Sequence, residues 1–211
     1  MYKILKRIMD IVGALIALVL FSPIFLLTAV WIKCVSPGGP VFADIPDRVG
    51  KDKKPFKFMK FRSMFPNAHE YLIKNQELYQ KYVENNYKIN AEEDPRIIKG
   101  GIFLRKYSID ELPQFINVLK GEMSIVGPRA YYFFEIEEQA VKFPDTAGLI
   151  EKAVSIKPGI TGPWQVTGRS SIGFVERVKL DARYAENKSI LYDILIVLKT
   201  PYVVLTKKGA V

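Results

Sequence analysis

Ile11-Val12-Gly13-Ala14-Leu15-Ile16-Ala17-Leu18-Val19-Leu20-Phe21-Ser22-Pro23-Ile24-Phe25-Leu26-Leu27-Thr28-Ala29-Val30-Trp31-Ile32 is a run without one charged residue. As a single helix it would measure roughly 33 Å, against about 30 Å of hydrocarbon in a bilayer, so its length permits a membrane element. The run is too long for a cleaved signal and is followed by no small-residue cleavage site. Cations flank both ends: Lys3, Lys6 and Arg7 before it, and Lys33, Arg48, Lys51, Lys53, Lys54, Lys57, Lys60 and Arg62 after it. Positive flanks keep to the cytoplasmic side, so a straight span would have to export one of them. Ser22-Pro23 falls at the centre of the run. Proline removes a backbone donor and clashes with the preceding turn, so a sharp bend is expected, with Ser22 bonding back to a freed carbonyl. A helix bent at mid-depth enters and leaves by the same leaflet, which satisfies both flanks. The alternative is an ordinary span with a tolerated kink. The expected organisation is a re-entrant membrane helix over residues 1–35 and a cytoplasmic domain over residues 36–211 lying on the membrane surface.

The 211 residues carry 31 Lys and Arg against 22 Asp and Glu, a net charge of +9. Such a balance calls for an anionic partner: nucleic acid, anionic lipid or a phosphorylated substrate. A single cysteine, Cys34, excludes an internal disulfide framework and a multi-cysteine metal site. A single histidine, His69, argues against histidine-based catalysis and reads as a surface helix residue.

Beyond the apolar run, Ser36-Pro37-Gly38-Gly39-Pro40 is a dense turn signal. Val41-Phe42 and Pro55 to Phe61 read as short strands, with Asp47 to Lys54 as a charged hairpin loop between them. The interleaved aromatics and cations of the second strand suit anionic headgroups better than single-stranded nucleic acid. Asn67 to Val83 has helical spacing, and Asp94-Pro95-Arg96 and Gly100-Gly101 are breaks. Phe174 to Asn187 reads as a helix presenting Asp181 and Tyr184 at i and i+3. Ile190 to Leu205 is apolar but interrupted by Asp193, Lys199 and Pro201; it reads as an interfacial helix anchored by Tyr192, Tyr202 and Lys207-Lys208. The fold class expected is α-rich α+β, with a small β-hairpin and interfacial helices.

The chemistry concentrates in Tyr107-Ser108-Ile109-Asp110-Glu111-Leu112-Pro113-Gln114, with Arg105 and Lys106 just before it and Gly127-Pro128-Arg129 beyond. Adjacent carboxylates beside cations suit a reaction at phosphorus, where a carboxylate holds a metal or attacks and arginines hold phosphates. A structural reading competes. Ser108-x-x-Glu111 fits a capping box, and Asp110 alone fits an N-cap before a helix over Leu112–Lys120 ending at Gly121. The two are compatible, because a helix amino terminus favours an ionised carboxylate and attracts phosphate. Arg129 leaves its turn free to fork onto a phosphate or to form a surface ion pair. Tyr131 to Phe134 can pack in the core or lie at a lipid interface. Lys157 to Trp164 is a rigid turn, and the loop Gly168-Arg169-Ser170-Ser171 that follows has an open polar backbone suited to a nucleotide or sugar, without a Walker or Rossmann glycine pattern.

Together these motifs resemble the bacterial sugar transferases known as monotopic phosphoglycosyl transferases. The match runs through Lys60-Phe61-Arg62-Ser63-Met64, Asp94-Pro95-Arg96, Leu104-Arg105-Lys106-x-Ser108-x-Asp110-Glu111-Leu112-Pro113-Gln114, and Asn117 to Arg129. It continues through Pro158 to Gly162, Trp164-Gln165-Val166, Gly168-Arg169 and Asp181-x-x-Tyr184, and covers nearly the whole chain. The bend at Ser22-Pro23 corresponds to the family's re-entrant helix. Ala130 stands where the family usually has a second proline, and Pro46 where glutamine is common. The multi-span region that precedes this domain in larger relatives does not precede it in the sequence read.

The resemblance implies a reaction. A UDP-sugar gives its sugar-1-phosphate to polyprenyl (undecaprenyl) phosphate, releasing UMP, and this initiates a surface polysaccharide. It implies Mg²⁺ and a covalent phosphosugar on Asp110, with Glu111 as acid/base or metal partner, so that Asp110 and Glu111 are also the metal contacts. Arg105, Arg129 and Arg169 are implied to hold phosphates, with Lys60 and Arg62 as further phosphate or substrate contacts. The implied location is the cytoplasmic face of the bacterial inner membrane, among membrane lipids. The length of Phe65–Glu93 resembles the hexose-1-phosphate transferases, which points to galactose or glucose phosphate over an N-acetylated sugar. A homo-oligomer is left open, and no nucleic acid is expected. The competing class is a noncatalytic scaffold of a glycan assembly complex, motivated by the positive charge and interfacial helices. It would release no UMP from any UDP-sugar.

Overall fold

The computed structural model describes residues 2–85 and 89–206. The apolar run does not form one helix. Helix α1 (Tyr2–Leu20) and helix α2 (Ser22–Val35) meet at 60°. The cause lies in two side chains. Pro23 has no N–H to give the Val19 carbonyl, and the Ser22 hydroxyl donates to that same oxygen at 2.8 Å. Neither helix alone is long and apolar enough to cross a membrane; the bent pair passes that test together, by length and composition.

One face of α1 is committed to the body of the protein. Ala14 is fully buried with Phe56, Val118, Met123 and Ala130. Gly13 lies so close to Ile125 that a Cβ there would come within 2.5 Å of its Cδ1. A polar network fixes the helix end. Lys6 Nζ lies 3.2 Å from Asp10 and 3.3 Å from Asp193. Asp10 accepts from the Ser124 hydroxyl and the Ile125 N–H, while Asp193 accepts from the Tyr2 and Tyr184 hydroxyls. The other face of α1 leaves Ile4, Ile8, Ile16 and Val19 exposed, and α2 leaves Leu26 and Leu27 exposed.

The expected hairpin exists in a shifted register. Strand β1 (Arg48–Val49) pairs antiparallel with β2 (Pro55–Phe56), around a tight turn in which Asp52 and Lys53 take left-handed backbone. Val41-Phe42 contributes only a bridge from Phe42 to Phe61. Residues 57–61 fail to extend the hairpin because other groups take their backbone. The Asn117 carboxamide accepts from Met59 N–H and donates to the Lys57 carbonyl, and Phe61 N–H donates to the Asp110 carbonyl. Asn117 thus stands in for a neighbouring strand and sets Lys60 against the turn that carries Asp110.

The expected helix over Asn67–Val83 is two, α3 (Ala68–Lys74) and α4 (Gln76–Glu84). Asn75 ends the first and caps the second, its side chain accepting from Leu78 N–H at 3.1 Å. The break explains why Leu72 and Leu78 are buried while Tyr71 and Tyr79 of the same apparent stripe are exposed. Helix α5 spans Gly101–Lys106, and α6 spans Gln114–Lys120 rather than starting at Leu112. Strand β3 (Ser124–Val126) pairs in parallel with β4 (Gly159–Thr161). Helices α7 (Phe133–Lys142), α8 (Ala147–Val154), α9 (Pro163–Thr167) and α10 (Phe174–Asn187) complete the body. Helix α11 (Ile190–Leu205) follows, with Pro201 inside it and Leu191, Leu198 and Tyr202 exposed. Lys207-Lys208 lie outside the described residues. The fold is α-rich α+β, as the sequence led us to expect.

The two glycine-proline turns are docked backbone to backbone. A Cβ at Gly159 would lie 2.0 Å from Gly127 N, and one at Gly162 would lie 2.0 Å from Gly127 O. Gly127-Pro128-Arg129 and Pro158 to Gly162 are therefore one structural unit, which aims Arg129. Tyr131, next in the chain, is buried in the core rather than placed at a lipid interface.

Candidate active site

Asp110 sits in a single 3-10 turn, Ile109–Glu111, and the residue is 1% exposed. It caps no helix. Ser108 makes no side-chain cap either; its backbone is left-handed (φ 56°), and its hydroxyl accepts from Arg169 Nη2 at 2.8 Å. Helix α6 starts only at Gln114, behind Pro113, without a side-chain cap. The capping account of the acidic pair is thereby removed, and with it the helix-terminus argument for an easily ionised Asp110. Burial instead holds the Asp110 carboxyl above the usual carboxylate range. Lys60 pulls the other way, Glu111 adds to the rise, and Arg105 opposes it.

Lys60 Nζ is 2.8 Å from Asp110 Oδ2 and 3.9 Å from Glu111 Oε1, so one ammonium spans both acids. The Glu111 side chain is 41% exposed, which puts it at the mouth of the site with Asp110 behind it. Arg105 is positioned by its Nε–H bond to the Ser63 hydroxyl at 3.0 Å. Its terminal nitrogens make no hydrogen bond among the described residues. Arg169, also left-handed (φ 51°), has Nη1 buried without a partner among the described residues.

A second group of cations gathers around Trp164, Glu135 and Tyr132, and the Glu111 charge acts on two of them, Arg48 and Arg129. Arg129 and Arg177 lie over the Trp164 ring, each 5.1 Å from its centroid, and share one oxygen of Glu135 at 3.6 and 3.4 Å. Arg48 stacks on Tyr132 at 3.2 Å, and burial pushes its pKa down to about 10. Behind them Asp181 accepts from Arg129 N–H at 3.0 Å and from the Tyr131 hydroxyl at 2.7 Å; burial pushes its pKa up to about 7. Trp164 Nε1, Gln165 Oε1 and Arg177 Nε are buried without hydrogen-bond partners among the described residues, and buried polar atoms are rarely left so.

Arg62 is placed differently from the other sequence candidates. Its Nε donates to the Pro40 carbonyl at 2.6 Å, Nη1 to the Ser36 hydroxyl at 2.7 Å and Nη2 to the Ser36 carbonyl at 2.5 Å. All three nitrogens are engaged in tying the end of α2 to the loop after it. Ser22 and Pro23 form the bend described above, between α1 and α2.

A family model described as Bacterial sugar transferase matches residues 1–207. The chain belongs to the bacterial sugar transferase family. Among relatives, an uncharacterized sugar transferase of Haemophilus influenzae is 40% identical over 99% of this chain and 42% of its own length. The undecaprenyl-phosphate galactose phosphotransferase of Salmonella typhimurium is also 40% identical, with the same coverages of 99% and 42%. The exopolysaccharide production protein ExoY of Rhizobium meliloti is 37% identical over 97% of this chain and 87% of its own length. The chain thus spans less than half the length of the first two and most of the third.

Sequence reasoning missed Arg48, Arg177 and Glu135 as members of this candidate site. Arg177 sits one helical turn before Asp181, on the buried face of α10, and its i, i+4 spacing to Asp181 was the available signal. For a metal, the described residues bring together no group of three or more His, Cys, Asp or Glu side chains. Asp110 and Glu111 are the two carboxylates that the turn brings together, with the Lys60 ammonium between them; a magnesium site built on one or two carboxylates takes its other ligands from waters and substrate phosphates.

Proposed function

We propose that this sugar transferase moves a sugar-1-phosphate from a UDP-sugar to polyprenyl phosphate and releases UMP. The observation that carries the reading is the buried Asp110 carboxylate, held 2.8 Å from Lys60 with the half-buried Arg105 acting on its charge. A carboxylate attacking a diphosphate meets electrostatic repulsion, and fixed cations around it remove much of that barrier.

An Asp110 oxygen attacks the phosphorus that bears the sugar. The bond from that phosphorus to the UMP oxygen breaks, and its electron pair leaves with UMP. An oxygen of polyprenyl phosphate then attacks the same phosphorus, the Asp110 carboxylate departs, and the product is a polyprenyl diphosphate sugar. Lys60 holds Asp110 ionised and in position, Glu111 accepts or returns a proton at the exposed mouth, and Arg105, Arg129 and Arg169 hold the phosphates. Mg²⁺ on Asp110 and Glu111 would neutralise diphosphate charge when bound. The unfilled polar atoms of Trp164, Gln165 and Arg177 support a nucleotide seat next to Arg129.

The bent α1–α2 pair and the exposed apolar faces of α1, α2 and α11 support seating on the cytoplasmic face of the inner membrane, where the polyprenyl chain would reach the site from the lipid. The length of Phe65–Glu93 favours galactose or glucose phosphate. The test is a panel of UDP-sugars incubated with Mg²⁺ and polyprenyl phosphate. One hexose donor releases UMP in step with lipid-linked product, and Asp110→Asn releases none. Silence from every donor would leave the noncatalytic scaffold.

A further inference from the structure

We propose that Arg7, Lys157 and the hollow beside Gly121 form a binding site for the phosphodiester headgroup of an anionic phospholipid. Gly121 ends α6 with φ 83°. A side chain there would start 3.4 Å from Lys157 Nζ and 3.6 Å from Arg7 Nη2. One small group in that space therefore touches both cations. Arg7 is fixed, because its two terminal nitrogens donate to the Val118 and Leu119 carbonyls at 2.6 and 2.8 Å.

Neither cation has an ion-pair partner among the described residues. The nearest acid, Asp10, is engaged by Lys6, Ser124 and Ile125, and Lys6 is shared with Asp193. Around Lys157 the cations Arg7 and Lys51 act against the single acid Asp10, and Asp10 is already shared with Lys6. The negative charge of a phosphodiester would offset that excess of positive charge. The carbonyls at the end of α6 account for Arg7. They do not account for Lys157, a half-buried residue whose pKa is lowered by burial and by Arg7, with Asp10 opposing. Ile4, Leu5 and Ile8, all exposed, surround Arg7 along α1 and offer acyl chains an apolar wall.

The assignment rests on the membrane-seated reading above, and the test separates the two. Purified full-length protein is floated with vesicles of phosphatidylcholine alone or with added phosphatidylglycerol. Failure to float with either overturns the membrane seating itself. Gly121→Asn keeps every charge, and asparagine tolerates the left-handed backbone, but its side chain fills the hollow. Binding to phosphatidylcholine should be unchanged, while the preference for phosphatidylglycerol should fall by about tenfold, as it should for Lys157→Gln. Lys54→Gln, which removes a cation from the hairpin, serves as the control for general attraction. An undiminished preference in Gly121→Asn overturns the headgroup site, as does an equal loss in Lys54→Gln and Lys157→Gln. Loss of the preference on adding inorganic phosphate at constant ionic strength would assign the hollow to free phosphate and overturn the lipid assignment.

Discussion

Arg169 donates to the Ser108 hydroxyl at 2.8 Å, and both residues hold left-handed backbone, with φ of 51° and 56°. A left-handed residue other than glycine costs roughly 1 kcal/mol or more, so two of them bonded together beside Asp110 are a maintained strain. The bond joins the turn that carries the acid to the loop that carries a phosphate-binding candidate.

Ser108→Gly relieves one strained residue and loses one hydrogen bond. These are opposite effects of about 1 kcal/mol each, so its melting temperature should stay near that of the parent. Ser108→Ala keeps the strain and loses the bond, and should be less stable by about 1–2 kcal/mol. UMP release should fall at least about tenfold in both. Full activity in the stable glycine variant would show that the tie to Arg169 has no part in turnover.

Lys60→Met removes the cation that opposes the burial-raised pKa of Asp110. The anion is the nucleophile, so turnover is lost as pH falls through the Asp110 pKa. Without Lys60 that pKa rises further, and the acid limb of the pH–rate profile should move to higher pH. Lys60→Arg should move it less. An unmoved limb in Lys60→Met would mean that Lys60 does not govern the state of Asp110.

Lys6 stands between two buried carboxylates, Asp10 and Asp193. Lys6→Met leaves both charges without their cation and should destabilise the protein by about 3–5 kcal/mol. Replacing Asp193 by Asn in the same chain should restore part of that loss. Thermal unfolding in detergent, with limited proteolysis at α1, reads both effects. An additive loss in the double variant would deny the coupling.

The parts of this protein legible in its sequence are those set by local chemistry. Pro23 dictates the bend whatever surrounds it, and the spacing of α10 and α11 follows from periodicity alone. The hairpin register and the division of the 67–83 helix were not legible. Each depends on one polar side chain that substitutes for backbone, Asn117 for a missing strand and Asn75 for two helix ends. At the site, Asp110 and Glu111 stood out by type and spacing. Ser108-x-x-Glu111 also fits a capping box, and what separates the two readings is the positive φ of Ser108 and the bond its hydroxyl accepts from Arg169, neither of which the motif reveals. Arg62 shows the converse. It lies in a motif of the site, yet its guanidinium closes a loop, and nothing in its neighbours' identities tells which use a guanidinium will take.

The central claim is that the Asp110 carboxylate becomes esterified to a sugar phosphate. Intact mass measurement after exposure to the preferred UDP-sugar, with Mg²⁺ and no lipid acceptor, tests it most directly. The account predicts a mass gain of one sugar phosphate, mapped to Asp110, matched by one UMP per protein and reversed by adding polyprenyl phosphate. UMP release at full rate with acceptor, but no adduct on Asp110 when acceptor is withheld, would contradict it.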